Sequence, residues 1–182
     1  MTPEPPLDIE RLVETLHRHG VRTVIIGGVA VQVHGHRRTT MDLDVIPAPD
    51  ADNIERLAAA LAELNARPRD APSGTPSPTV EQLQVAAIVP PLMTDHGELH
   101  VLNDVPGAAP FAELYSRALT IEVDGVDLLI CHVDDLISMK RASGRPADLR
   151  DIAALTTPAP LPMPPEGIEP STFGLRVRCS AS

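Results

Sequence analysis

Two carboxylates one residue apart, Asp42 and Asp44, follow a glycine pair, Gly27-Gly28, that ends the apolar run Val24-Ile25-Ile26. On a strand, residues i and i+2 point to one face, so both carboxylates reach a single site. Like charges held that close repel each other, and a cation or a shared proton relieves the repulsion. Mg²⁺ (or Mn²⁺) carrying substrate phosphates is the usual partner, because such ions take one or two carboxylates plus phosphate oxygens. Glycines let backbone approach a phosphate, and a helix opening there offers free N–H groups and a positive dipole end. An Asp-x-Asp at a strand end and a Gly-Gly turn also occur as plain surface features, so the pair needs further support.

The elements that must position these groups follow from periodicity. Residues 7–19 read as an amphipathic helix with Ile9, Leu12, Val13 and Leu16 on one face and Gly20 as its stop. A β-branched run over 23–26 predicts a buried strand, 28–34 a helix, and 42–46 a second strand ended by Pro47. Asp52 and Glu55 predict the start of a helix carrying Ile54, Leu57, Ala58, Leu61 and Leu64. A third strand is expected over 98–103, with a turn at Pro106-Gly107. Runs at 119–123 and 126–131 flank Asp124-Gly125, a strong hairpin signal. Asp134 or Asp135 is expected to cap a helix that Gly144 ends, and Pro146 to open a last helix carrying Leu149, Ile152, Ala153 and Leu155. The expected architecture is α/β (α+β): a small mixed sheet with the metal site on its edge strands, packed by helices, with a C-terminal helical pair. Residues 1–156 form the domain, 67–79 a Pro/Ser-rich loop within it, and 157–182 a Pro-rich, disordered tail.

Composition narrows the function classes. With no Trp, one Tyr and two Phe, the core must be aliphatic. The net charge of −10 argues against a whole-chain nucleic-acid binder. Arg37, Arg38, Lys140, Arg141, Arg145 and Arg150 could form a local basic face or a merely solvated one. His34 and His36 beside Arg37 and Arg38 read as polar loop residues, with a second metal or RNA contact as the alternative. Cys131, in an apolar run, reads as a small core residue. No segment resembles a leader or a bilayer span, so a cytoplasmic protein with no membrane partner is expected.

Gly27-Gly28-Val29-Ala30, His34-Gly35, Arg38, Thr40 and Asp42-Leu43-Asp44-Val45 resemble the nucleotidyltransferase superfamily that includes DNA polymerase β. They look closest to the bacterial AbiEii-like nucleotidyltransferases, which include toxins of toxin–antitoxin pairs. A second block is similar to that family's C-terminal helical motif: Asp135-Leu136-Ile137-Ser138-Met139-Lys140-Arg141, Gly144-Arg145, Asp148-Leu149 and Asp151-Ile152. The resemblance implies a metal-dependent transfer of a nucleoside monophosphate from a nucleoside triphosphate to a hydroxyl on RNA or protein. A cognate antitoxin or toxin is a further implied partner. It implies Asp42 and Asp44 as ligands of Mg²⁺ or Mn²⁺, Gly27 and Gly28 at the phosphates, and Lys140 as a point charge on the triphosphate. Arg38 and Thr40 would line the approach, and Asp148 would hold Lys140 or Arg145.

The chain departs from that pattern at two positions. Where the family places a third carboxylate, this sequence has His100. A neutral imidazole there could ligate a metal or accept a proton, but it lacks the carboxylate's charge. Asp104 shares the strand parity but lies roughly 13 Å further along a straight strand. Met41 stands where many relatives carry a basic residue. These departures keep a second reading open: a degenerate nucleotidyltransferase that binds nucleotide or a partner without turnover.

Overall fold

A computed structural model describes residues 4–72, 74–85, 89–123 and 125–157, and the backbone of 176–178. The elements are α1 (Ile9–Arg18), β1 (Thr23–Ile25), α2 (Gly27–Val33), β2 (Asp42–Pro47), α3 (Ala51–Glu63), β3 (Arg67–Pro68) and α4 (Val80–Val85). There follow β4 (Leu92–Thr94), β5 (Gly97–Val101), α5 (Phe111–Arg117), β6 (Leu119–Val123), β7 (Val126–Ile130), α6 (Val133–Ser143), α7 (Pro146–Leu155) and β8 (Arg176–Arg178). The mixed α/β class read from the sequence is the one observed.

One mixed sheet runs in the order β3-β4-β5-β2-β1-β7-β6-β8. The carboxylate strand β2 pairs antiparallel with β1 on one side and parallel with β5 on the other. This corrects the expectation of a site on edge strands: β2 and β5 are interior, so their backbones are held by ladders on both sides. Helices α1, α2, α3 and α5 pack on the central strands, and α6 and α7 pack on each other. The core is aliphatic, with Leu12, Leu43, Leu57, Leu61, Leu99 and Ile130 fully enclosed.

Local chemistry explains most boundaries. The Asp8 carboxylate caps α1 by accepting from the Arg11 N–H, and Ile9, Leu12, Val13 and Leu16 form its buried face. α3 starts earlier than expected, because the Asp50 side chain, not that of Asp52, accepts from the Asn53 N–H. The fully buried Asn53 amide donates to the Arg22 and Ala48 carbonyls and accepts from the Arg22 N–H, tying α3 to β1 and to the end of β2. In α6 the cap is the His132 ring rather than Asp134 or Asp135. Gly144 ends α6 in the left-handed conformation and Pro146 opens α7, as expected.

The expected loop over 67–79 contributes Arg67–Pro68 to the sheet as β3, paired with β4. The helices α4 and α5 and the strand β4 carried no strong periodic signal. Of the expected tail, residues 158–175 and 179–182 lie outside the described residues, while Arg176–Arg178 pairs antiparallel with β6. α7 also departs from its sequence pattern: it buries Asp148 and Asp151 and leaves Leu149 59% exposed.

Candidate active site

The parallel register between β2 and β5 builds the acidic wall. Asp42 pairs with Glu98, Leu43 with Leu99, and Asp44 with His100. Alternation therefore sends the two leucines into the core and the four polar side chains to the opposite face. Gly27, which opens α2, has a positive φ of 64°, and a Cβ there would overlap the Asp44 carboxylate. A Cβ on Gly28 would overlap the Thr40 hydroxyl, which in turn donates to Asp42 Oδ1 at 3.2 Å. The glycine pair is thus required by the close approach of the two residues that flank the cleft floor. Burial, and then the charge of Asp44, pushes the Asp42 carboxyl above its usual range.

His100 answers part of that charge. Its Nδ1 lies 2.9 Å from Asp44 Oδ1 and 3.6 Å from Asp42 Oδ2, and its Nε2 lies 3.0 Å from Glu98 Oε1. The hydrogen bond to Asp44, opposed by burial and reinforced by Glu98, raises its pKa to about 9. The carboxylates at its two nitrogens favour the protonated form of the ring. Glu98 is anchored from behind by Arg69, whose Nη1 lies 2.7 Å from its Oε2.

A wall of opposite sign comes from α6, α7 and the segment before β2. The Lys140 Nζ lies 3.2 Å from Asp148 Oδ1 and 2.6 Å from Asp151 Oδ2, with all three side chains buried. Arg145 donates from Nε to Asp148 Oδ2 at 2.7 Å, and Arg38 from Nη1 to Asp151 Oδ2 at 2.7 Å. Burial alone would raise the Asp148 carboxyl, but hydrogen bonds from Arg145, Ser143 and Lys140 hold it far below the usual carboxylate range.

Between the walls lies a cleft of about 370 Å³ lined by Gly27, Gly28, Arg38, Asp42, Asp44, His100, Lys140, Arg145 and Asp148. The residues that the family resemblance assigns to the site meet there, with Thr40 against its floor, whereas Arg37, Arg141 and Arg150 do not line it. Asp104 also lines it, because β5 ends at Val101 and the chain turns instead of running straight on. Sequence reasoning missed Glu98 and Asp151 as members of the site. The signals were present: Glu98 is two residues before His100 on a strand, and Asp151 three after Asp148 on a helix. The His34 ring, by contrast, bonds the Cys131 carbonyl at 2.8 Å, and Cys131 itself is fully buried. Among the described residues, Asp42, Asp44 and His100 form the group whose ligand atoms, within 4.8 Å of one another, could hold a metal ion. Two partly exposed carboxylate ligands suit a hard divalent cation.

No described helix is long and apolar enough to cross a membrane. No curated protein sequence matches the chain. Two of the similar solved structures are of one protein, ANT(2'')-Ia. The solution structure of this antibiotic-resistance factor superposes with a TM-score of 0.52 at 13% identity, covering 82% of this chain and 80% of that one. The crystal structure in complex with adenylyl-2''-tobramycin gives 0.51 at 14% identity, covering 82% and 86%. An antigenic nucleotidyltransferase-like protein from Paracoccidioides brasiliensis gives 0.50 at 18% identity, covering 82% and 77%. At these identities the likeness establishes the fold. The sequence profile described as "Nucleotidyltransferase of unknown function (DUF6036)" matches residues 7–159. That match spans most of the chain and both walls of the cleft, so the protein belongs to this nucleotidyltransferase family and is an enzyme of that class.

Proposed function

We propose that the cleft binds a nucleoside triphosphate with Mg²⁺ or Mn²⁺ and transfers its nucleoside monophosphate to a hydroxyl on RNA or protein. The observation that carries this reading is the pairing of Asp42 and Asp44 over Gly27, facing a positively charged wall across one cleft. Asp42 and Asp44 would hold the divalent ion. When bound, that ion neutralises charge developing on the α-phosphate. Gly27 and Gly28 leave room for the phosphates, and the cationic wall offsets their charge. The acceptor oxygen bonds to the α-phosphorus as its bond to the pyrophosphate oxygen breaks. The hydroxyl proton leaves to water, with His100 beside the carboxylate pair. Kinship with AbiEii-like enzymes and a toxin–antitoxin role rest on the two motif blocks and belong to the same proposal.

The test is incubation of the protein with each α-labelled nucleoside triphosphate, Mg²⁺ or Mn²⁺, and total RNA, lysate protein or an aminoglycoside. The last acceptor is included because one structural neighbour was solved with adenylyl-2''-tobramycin. Label transferred by wild type and lost in Asp42→Ala supports the reading; equal labelling by both refutes it.

A second reading, nucleotide or partner binding without turnover, is favoured by the His100 ring, which stands where a third carboxylate is expected and is held between Asp44 and Glu98. Nucleotide binding by calorimetry with no product, and activity gained in His100→Asp, would select it.

A further inference from the structure

The family resemblance assigns Lys140 to the triphosphate, yet its side chain, at the edge of the cleft, is almost wholly buried and its ammonium is taken up by carboxylates. The residue is 5% exposed and lies against two carboxylates, Asp148 at 3.2 Å and Asp151 at 2.6 Å. Each carboxylate takes a second cation on its outer side. Arg145 uses Nε and Nη2 on Asp148, and Arg38 uses Nη1 on Asp151 and Nε on the Thr39 carbonyl. A guanidinium carries five donors in a rigid fork, and among the described residues Nη1 of Arg145 and Nη2 of Arg38 have no hydrogen-bond partner, which leaves them to a ligand. Both side chains are accessible, 72% for Arg145 and 32% for Arg38, and both line the cleft. The guanidinium carbon of Arg38 lies 3.6 Å from where a Cβ on Gly28 would sit, above the glycine pair. Arg145 is near enough to Asp44 and Asp42 for their charges to act on it.

We propose that Arg38 and Arg145 are the residues that grip the polyphosphate, and that Lys140 and Asp151 are positioning residues acting through them. The inference rests on the nucleotide-binding reading of this same cleft and divides its labour. Three cations share two buried carboxylates, so the wall keeps a positive excess, and that excess resides on the two accessible arginines. The buried bracket of Asp148, Lys140 and Asp151 fixes their forks before any ligand arrives, which reduces the ordering cost of binding.

The test uses inorganic tripolyphosphate with the full chain in EDTA, read by calorimetry, with each variant's melting temperature recorded. Arg38→Gln and Arg145→Gln should each weaken binding about 10-fold or more, as loss of a charge-assisted contact does, with melting little changed. Asp151→Asn should weaken binding in wild type and in the Arg145→Gln background, but have no further effect once Arg38 is Gln. A general structural role for Asp151 would not produce that selective coupling. Lys140→Met alone leaves two buried carboxylates short of a cation and can unfold the chain. Lys140→Met with Asp151→Asn, in the Arg38→Gln background, removes one charge of each sign and should bind as Arg38→Gln does. A further 10-fold loss there makes Lys140 the contact and overturns the proposal. So does no wild-type binding, or affinity within about twofold in both arginine variants. Asp42-dependent label transfer can survive that failure, and metal-free tripolyphosphate binding can survive loss of label transfer, so the two readings fail separately.

Discussion

Across the cleft, β2 and β5 set Asp42, Asp44 and Glu98 against His100 and Arg69. The α6–α7 side sets Arg38, Lys140 and Arg145 against Asp148 and Asp151. One wall keeps a negative excess and the other a positive excess, and each carries counter-charges from within the protein. The strand wall gains its order from ladder register, which places side chains without any need for attraction between them. The helical wall gains its order from the ion pairs themselves, since α7 buries acids where its apolar pattern points elsewhere. Charge on the strands is therefore tolerated, whereas charge on the helices is structural.

That contrast is broken most sharply at Lys140. Lys140→Met should cost about 3–5 kcal/mol by chemical denaturation, because two buried carboxylates lose their shared cation. A loss below 1 kcal/mol would mean the bracket is ornamental. Next in size is Gly27→Ala, which forces a left-handed backbone onto an L side chain at about 1–2 kcal/mol and displaces the Asp44 carboxylate. Its nucleotide-transfer activity should fall further than its stability, and equal losses would argue against a functional role for the close approach.

The two walls should also fail at opposite ends of the pH scale. His100 binds its proton more tightly folded than unfolded, with its pKa raised to about 9. Its contribution is full below about 6.5 and lost as pH rises through about 9. Asp148 is held below the usual carboxylate range, so its contribution is present above about 3.9 and is lost as pH falls through its folded-state pKa. Denaturation midpoints measured from pH 7 to 9.5 should decline in wild type and stay flat in His100→Gln. Smallest of all, Met41→Lys, at a residue 74% exposed, should change stability by less than about 0.5 kcal/mol. A larger change would show that the cleft's mouth is electrostatically tighter than its exposure indicates.

Sequence patterns were legible where the rule is local. The carboxylate pair, the hairpin flanking Gly125 and the Gly144–Pro146 break all depend on residues within a few positions of each other. Hydrophobic periodicity found α1 and α3 but misplaced the cap of α3, since several acids near its start can serve and only geometry selects Asp50. It also pointed Leu149 inward on α7, where Asp148 and Asp151 prevail because cations are waiting for them.

By itself, then, the chain determined that Asp42 and Asp44 share a face, that a glycine turn precedes them, and that an acid- and base-rich helical pair follows. The tertiary structure alone decided what those groups meet. Glu98 enters the site through the parallel register of two strands separated by more than fifty residues in sequence. The pKa of His100 rises because a carboxylate stands at each nitrogen. Lys140 is enclosed, and Arg38 reaches Asp151 across 113 positions. Protonation and burial of charge depend on partners brought in from afar, and no local pattern encodes who those partners are.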